Sequence, residues 1–252
     1  MTILEATILG IIQGFTEFLP ISSSGHLVLG QAILGIEQPG NEFEILVHLG
    51  TLASVLVIFF DDIKFLILSL ASKKTQIFIM YILIGTLPAV GIGLGFKDLI
   101  YSLFENVTAV GGALIFTGVV LFGSSFANRQ DKDHSFLTCI LIGCAQAMAI
   151  IPGVSRSGMT ISAALFLGLS AKEAARFSFL LAIPAIGGAG LLTALDVSGG
   201  FQMPIPVALA GVISSFAVGV VALKWLLGWL EQGKFHYFGI YCFSLGLITL
   251  VV

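Results

Sequence analysis

Six stretches of this chain, at about residues 43 to 60, 75 to 95, 106 to 126, 174 to 194, 206 to 228 and 236 to 252, each run for roughly the twenty residues a helix needs to cross about 30 Å of hydrocarbon, with scarcely a charge inside them. Such a chain needs lipid as its solvent. With 57% hydrophobic and 10% charged residues, its eleven Lys and Arg and fourteen Asp and Glu cannot form the polar skin of a water-soluble globule of 252 residues, though they suffice to cap spans. The net charge of -3 gathers into no basic patch, which argues against nucleic acid as a partner. Cys139, Cys144 and Cys242 are odd in number, lie in apolar stretches and match no metal spacing, so they read as small buried hydrophobes. The first apolar segment carries Glu5 and Glu17 and no basic lead, and reads as part of the mature fold rather than a removable leader.

Two further apolar regions, about 3 to 18 with 24 to 35 and about 135 to 150 with 156 to 168, are each interrupted by a turn. The first turn is Leu19-Pro20-Ile21-Ser22-Ser23-Ser24-Gly25, and the second is Ile151-Pro152-Gly153-Val154-Ser155-Arg156-Ser157-Gly158. Proline, serine and glycine stop helices, and the pieces left over are too short to span. Each pair therefore reads as a re-entrant hairpin that enters and leaves by one side. Gly10, Gln13, Ser22, Ser24 and Gly25 recur at one offset as Gly143, Gln146, Ser155, Ser157 and Gly158, which points to an internal repeat. The expected fold is an all-α polytopic membrane protein: one domain of two repeats, about 1–127 and 134–252, each a hairpin plus three spans. Three is odd, so the second copy is inverted and the hairpin tips meet near the midplane.

The cations give this topology a direction. Lys64, Lys73, Lys74, Arg129, Lys132, Lys172, Lys224 and Lys234 fall on one side, opposite Lys97, and by the positive-inside rule that side is cytoplasmic. Both termini and the mouth of the first hairpin then lie outside.

Charges at bilayer depth are costly, so Glu17, His26 and Arg156 demand an explanation. Gln13 and Glu17, four apart, share a helix face, and His26 falls in the first turn after Ser22-Ser23-Ser24-Gly25. Ser155, Arg156, Ser157, Gly158 and Thr160 hold the matching place in the second hairpin. Two helix N-termini, several hydroxyls and an arginine suit a multiply charged oxyanion, most simply a phosphate. The repeat divides its work, since Glu17 faces Ile150 in the alignment of copies and Arg156 faces Ser23. The bland alternative is a structural Glu17–Arg156 ion pair. Glu44 and His48 read as interfacial, and His134 and His236 as solvated loop residues.

The runs Gln13-Gly14-Phe15-Thr16-Glu17-Phe18-Leu19-Pro20, Ser22-Ser23-Ser24-Gly25-His26 and Pro152-Gly153-Val154-Ser155-Arg156-Ser157-Gly158-Met159-Thr160 together resemble the bacterial undecaprenyl-diphosphatases, also called bacitracin-resistance proteins, over essentially the whole chain. The resemblance implies removal of the terminal phosphate of undecaprenyl pyrophosphate, recycling the lipid carrier for peptidoglycan synthesis, with bacitracin competing for the same substrate. It implies residence in the bacterial cytoplasmic membrane, an active site facing outward, and a divalent cation, Mg²⁺ or Ca²⁺, held by Glu17 and Gln13. The family's first motif carries Glu or Gln where this chain has Gln13, which brings no charge. The mechanism these residues suggest makes His26 the base that activates Ser23, which the resemblance favours, or a water as nucleophile, with Arg156 the phosphoryl clamp and Glu17 the group that places metal or water. Ser22, Ser24, Gly25, Ser155, Ser157, Gly158 and Thr160 are then the phosphate cradle. A flippase or transporter of polyprenyl phosphate or another anion is the rival reading. The oligomeric state is left open, a homodimer included.

Overall fold

The computed structural model describes residues 1–36, 42–96, 100, 103, 106–127, 130–196 and 203–251. Lys97 and Arg129, which the charge argument used, lie outside the described residues. Within them the chain is helical without strands: α1 (Ile3–Phe18), α2 (Ser23–Leu34), α3 (Glu42–Ile58), α4 (Phe60–Leu68), α5 (Lys73–Gly95), α6 (Val107–Gly123), a 3-10 turn (Ser124–Phe126), α7 (Phe136–Met148), α8 (Arg156–Phe166), α9 (Ala171–Asp196), α10 (Ile205–Glu231) and α11 (Tyr237–Val251).

The helix ends follow local chemistry. A capping box opens α1, in which Thr2 Oγ1 accepts the Glu5 N–H at 3.2 Å and the Glu5 carboxylate accepts the Thr2 N–H at 2.8 Å. Helix α1 stops two residues before Pro20, as the residue preceding a proline disfavours helical backbone. Helices α2 and α8 start on serine caps, Ser22 and Ser155, whose hydroxyls accept the N–H of Gly25 and Gly158. The four short helices match the expected hairpin arms to within a few residues, and the members of each pair pack on one another.

The expected spans differ in two places. The run from 43 to 60 is not one straight helix, because the chain turns by 69° between Ile58 and Phe60. Asp61 and Asp62 follow at once, and Asp62 is drawn into an ion pair with Arg176, so the helix leaves its axis where charge begins. The last run forms the 15-residue α11, about 22 Å long and shorter than a hydrocarbon core. Among the described residues four helices are long and apolar enough to cross a membrane, or five if the bent α3–α4 pair is one span.

The halves of the chain are interleaved. Helix α1 packs most extensively on α10 and α7 on α5, while α6 and α11 pack together. Close approach at these crossings is made by glycine: a Cβ on Gly143 would run into the Gly85 carbonyl, and one on Gly118 would lie 2.8 Å from the Gly239 carbonyl oxygen. The largest core cluster joins Phe18 of α1 to Phe177 and Phe179 of α9 and Leu226 of α10, with the Phe18 and Phe179 rings edge-to-face at 5.8 Å.

At one end, Arg176 bonds Asp62 at 2.6 Å and Glu173 at 3.4 Å and stacks on Phe78. His134, expected to be solvated, instead lies against Phe177 and Phe78 with Nε2 3.3 Å from Glu173. Two aromatic faces and a carboxylate recruit it from the loop. His236 bonds the Gly233 carbonyl beside Tyr237. Cys139 and Cys242 are buried as expected, whereas Cys144 faces outward on the other side of α7.

Valine at Gly118 or Gly143 must push two helices apart, so each should lose about 1–3 kcal/mol and melt several degrees lower in detergent. Valine at Gly112, which has open space beside it, should melt within a degree or two of wild type, the comparison being made by thermal unfolding of purified protein.

Candidate active site

Both hairpin turns are fastened to a long helix and brought against each other. Thr117 on α6 donates to the Gly153 carbonyl at 3.1 Å and accepts the Ser155 N–H at 3.2 Å. On the other side, Cys242 Sγ of α11 donates to the Pro20 carbonyl at 3.4 Å. The turns touch: a Cβ on Gly25 would lie 3.4 Å from Gly153 Cα, and one on Gly158 3.3 Å from Pro20 Cβ. Gly153 needs its missing side chain twice over, with φ +92° and the Val110 carbonyl 2.5 Å from where a Cβ would stand. Ser22 adopts φ +69°, a strained setting for a non-glycine residue, and its place between Ile21 and the start of α2 aims the next residue, Ser23.

Glu17 lies at this meeting point, 7% exposed. Its Oε1 bonds Arg156 Nη2 at 2.5 Å. Its Oε2 accepts the Ser23 hydroxyl at 2.7 Å and the Gln13 amide at 3.1 Å, and lies 3.6 Å from His48 Nε2. The structure thus joins four of the expected residues, Gln13, Glu17, Ser23 and Arg156, in one network. A carboxylate this buried is tolerable only when opposite charge and donors surround it.

Two atoms in the network stand open. Arg156 Nη1 and Gln13 Oε1 are buried and have no hydrogen-bond partner among the described residues. Nearly all such atoms in folded proteins are paired, so an unpaired donor and an unpaired acceptor on two members of one network fit a ligand that carries both anionic oxygens and a cation. Among the described residues no three His, Cys, Asp or Glu side chains converge as a metal cluster. A hard cation fits Glu17 and Gln13 only as a shared site, with one carboxylate and one amide oxygen from the protein and phosphate oxygens for the rest, a pattern usual for Mg²⁺.

Other expected roles change once the side chains are placed. His26 does not meet Ser23; its Nδ1 bonds the Ser22 carbonyl at 2.8 Å and its Nε2 the Tyr241 hydroxyl at 2.8 Å. Its ring faces an apolar groove of about 490 Å³ that Phe15, Thr16, Trp225, Trp229 and Tyr241 also line. The partner of the Ser23 hydroxyl is Glu17. In the cradle, Ser155 caps α8, Ser157 lies 3.3 Å from Ser155, and Thr160 bonds the Arg156 carbonyl at 2.8 Å and Ser178 at 2.6 Å. All three are fully buried, and their bonds hold the first turn of α8, which carries Arg156. Ser22 likewise caps α2 and bonds Ser24 at 3.3 Å, leaving Ser23 and Ser24 half-buried.

Sequence reasoning read Glu44 and His48 of α3 as interfacial and did not single out Thr51. Thr51 lies 3.5 Å from the Gln13 amide, and His48, held through Nδ1 by the Glu44 carbonyl at 2.6 Å, turns its other nitrogen to Glu17. Glu44, His48 and Thr51 form one polar stripe at helical spacing on a largely apolar helix, and that spacing was the available signal.

Residues 6–248 match the family model described as "Bacitracin resistance protein BacA". The chain belongs to the BacA family. It is 42% identical to the undecaprenyl-diphosphatase of Carboxydothermus hydrogenoformans and 41% identical to that of Halothermothrix orenii, covering 100% of this chain and 98% of the relative in both cases. The undecaprenyl-diphosphatase of Desulforapulum autotrophicum is 38% identical with the same coverage. The BacA family assignment spans both hairpins and every residue of the network.

Removing one partner from the buried pair strands the other, so Arg156→Ala should cost about 3–5 kcal/mol of stability. The double variant Glu17→Gln/Arg156→Gln removes both charges and should recover most of the lost thermal stability while remaining inactive, as judged by melting and turnover on the same preparations.

Proposed function

We propose that this chain removes the terminal phosphate of undecaprenyl diphosphate, releasing inorganic phosphate and the monophosphate carrier. The family membership and the names of its relatives support the substrate and the reaction. The observation that carries the chemistry is a buried carboxylate holding a serine hydroxyl on one oxygen and an arginine on the other, where two helix N-termini meet.

In this reading the diphosphate lies over the start of α2, with Arg156 Nη1 donating to a phosphoryl oxygen. The attacking oxygen is that of Ser23 or of a water beside it. As it bonds to the terminal phosphorus, the bridging P–O bond breaks, the prenyl phosphate leaves, and the attacking hydroxyl's proton passes to Glu17 Oε2, 2.7 Å from Ser23. Where Ser23 is the nucleophile, a water then attacks the phosphorus on Ser23, the Ser23–phosphorus bond breaks, the serine oxygen takes back the proton on Glu17, and inorganic phosphate leaves. Arg156 and the N-terminal N–H groups stabilise charge moving to the leaving oxygen. His26, three residues from Ser23, takes a proton at Nε2 from the attacking water and gives it to the departing phosphate. The groove is the apolar path for the prenyl chain. A divalent cation held by Glu17 and Gln13 would screen the phosphate charge.

We assign the protein to the bacterial cytoplasmic membrane, with six spans and two re-entrant hairpins in inverted repeats of about 1–127 and 134–252. The reciprocal packing of α1 on α10 and α7 on α5 supports the inverted relation. Charge bias supports termini outside, and the carrier's release as diphosphate at the outer face supports a site opening there. Turnover of the diphosphate that bacitracin sequesters then accounts for resistance. The same interleaving favours a second reading, a flippase for polyprenyl phosphate, which needs no phosphate release.

Purified wild type in detergent should release phosphate from undecaprenyl diphosphate. Ser23→Ala and Arg156→Ala should each fall by at least about a hundredfold, and no release by wild type would leave only the flippase. Chelation by EDTA should abolish turnover and added Mg²⁺ or Ca²⁺ restore it; full activity in EDTA would remove the cation from the site.

A further inference from the structure

The imidazole of His26 is held at both nitrogens, and one of the two partners comes from the far end of the chain. The Ser22 carbonyl can only accept, so Nδ1 carries the proton. In the neutral ring Nε2 is then an acceptor, and the Tyr241 hydroxyl, 2.8 Å away, donates to it. The two rings stack with centroids 5.7 Å apart and planes 14° from parallel. Two hydrogen bonds and a stacked face leave the imidazole one orientation and one tautomer. Among the described residues the groove supplies no competitor: apart from His26 and Tyr241 the titratable side chain lining it is Tyr237, with no carboxylate or cation. The neighbouring Cys242 fastens the Pro20 carbonyl, so α11 fixes the turn and the ring that follows it with two successive residues.

We propose that Tyr241 is a positioning residue for His26 in phosphate release, setting the tautomer and ring plane through its hydroxyl. The proposal rests on the reading above that His26 serves the reaction. Tyrosine suits the place because its ring also forms groove wall: the phenyl face packs against the lipid chain's path while the hydroxyl reaches the imidazole. Hydroxyl and ring therefore separate by substitution.

Full-length Tyr241→Phe keeps the ring and loses the donor. Its kcat for undecaprenyl diphosphate should fall about tenfold with KM within about twofold of wild type, whereas Tyr241→Ala should raise KM as well. In protein labelled with nitrogen-15 at histidine, the His26 signals, assigned by their loss in His26→Ala, should report the Nδ1–H tautomer in wild type and a mixture in Tyr241→Phe. Wild-type kcat in Tyr241→Phe, or an Nε2–H ring in the unsubstituted protein, overturns the proposal. His26→Ala separates the two failures: if it is inactive while Tyr241→Phe is fully active, Tyr241 alone is excluded, and if it turns over normally, the role of His26 falls and that of Tyr241 with it.

Discussion

The contact between Glu17 and Arg156 is the one on which the rest depends. Each charge alone would be expelled from an apolar interior, and together they are tolerable only at short range with their remaining valences satisfied. That requirement brings the two hairpin turns together and explains why the surrounding residues are so rich in donors. It also explains the asymmetry of the network. The carboxylate is saturated by Arg156, Ser23 and Gln13, while the guanidinium keeps one nitrogen in reserve. A pair serving only as a structural pin gains nothing from a half-used arginine; a pair that must also meet an anion does.

Around this centre the polar residues sort into two kinds. Ser22, Ser155, Ser157 and Thr160 spend their hydroxyls on caps and on neighbouring helices, holding backbone in place. Ser23 gives its hydroxyl to Glu17, and Gln13 and Arg156 each keep one buried polar atom without a partner among the described residues.

Much of the fold could be read from the residues. Short apolar runs broken by Pro, Ser and Gly marked the arms of both hairpins, since helix termination is a local property. The convergence of Glu17 and Arg156 followed from the cost of isolated charge in hydrocarbon. What escaped was decided by rotamers and by distant partners. Ser23 and His26 are three residues apart on one helix, yet the hydroxyl turns to Glu17 and the imidazole to Tyr241, which spacing alone does not distinguish. His48 and Thr51 reach the site because α3 packs beside α1, a tertiary fact. The bend after Ile58 and the burial of His134 both follow from partners on α9, Arg176 for one and Glu173 with Phe177 for the other, more than a hundred residues along in the first case.

The fastening of the first turn carries a consequence for how the protein comes into being. Pro20 and His26 are synthesised 222 and 215 residues ahead of the groups that hold them, Cys242 and Tyr241. These two fastenings of the first turn can therefore form only after α11 has been made. A polypeptide cut short before α11 would carry Glu17, Ser23 and Arg156 and still lack the bonds that hold the Pro20 carbonyl and the His26 ring.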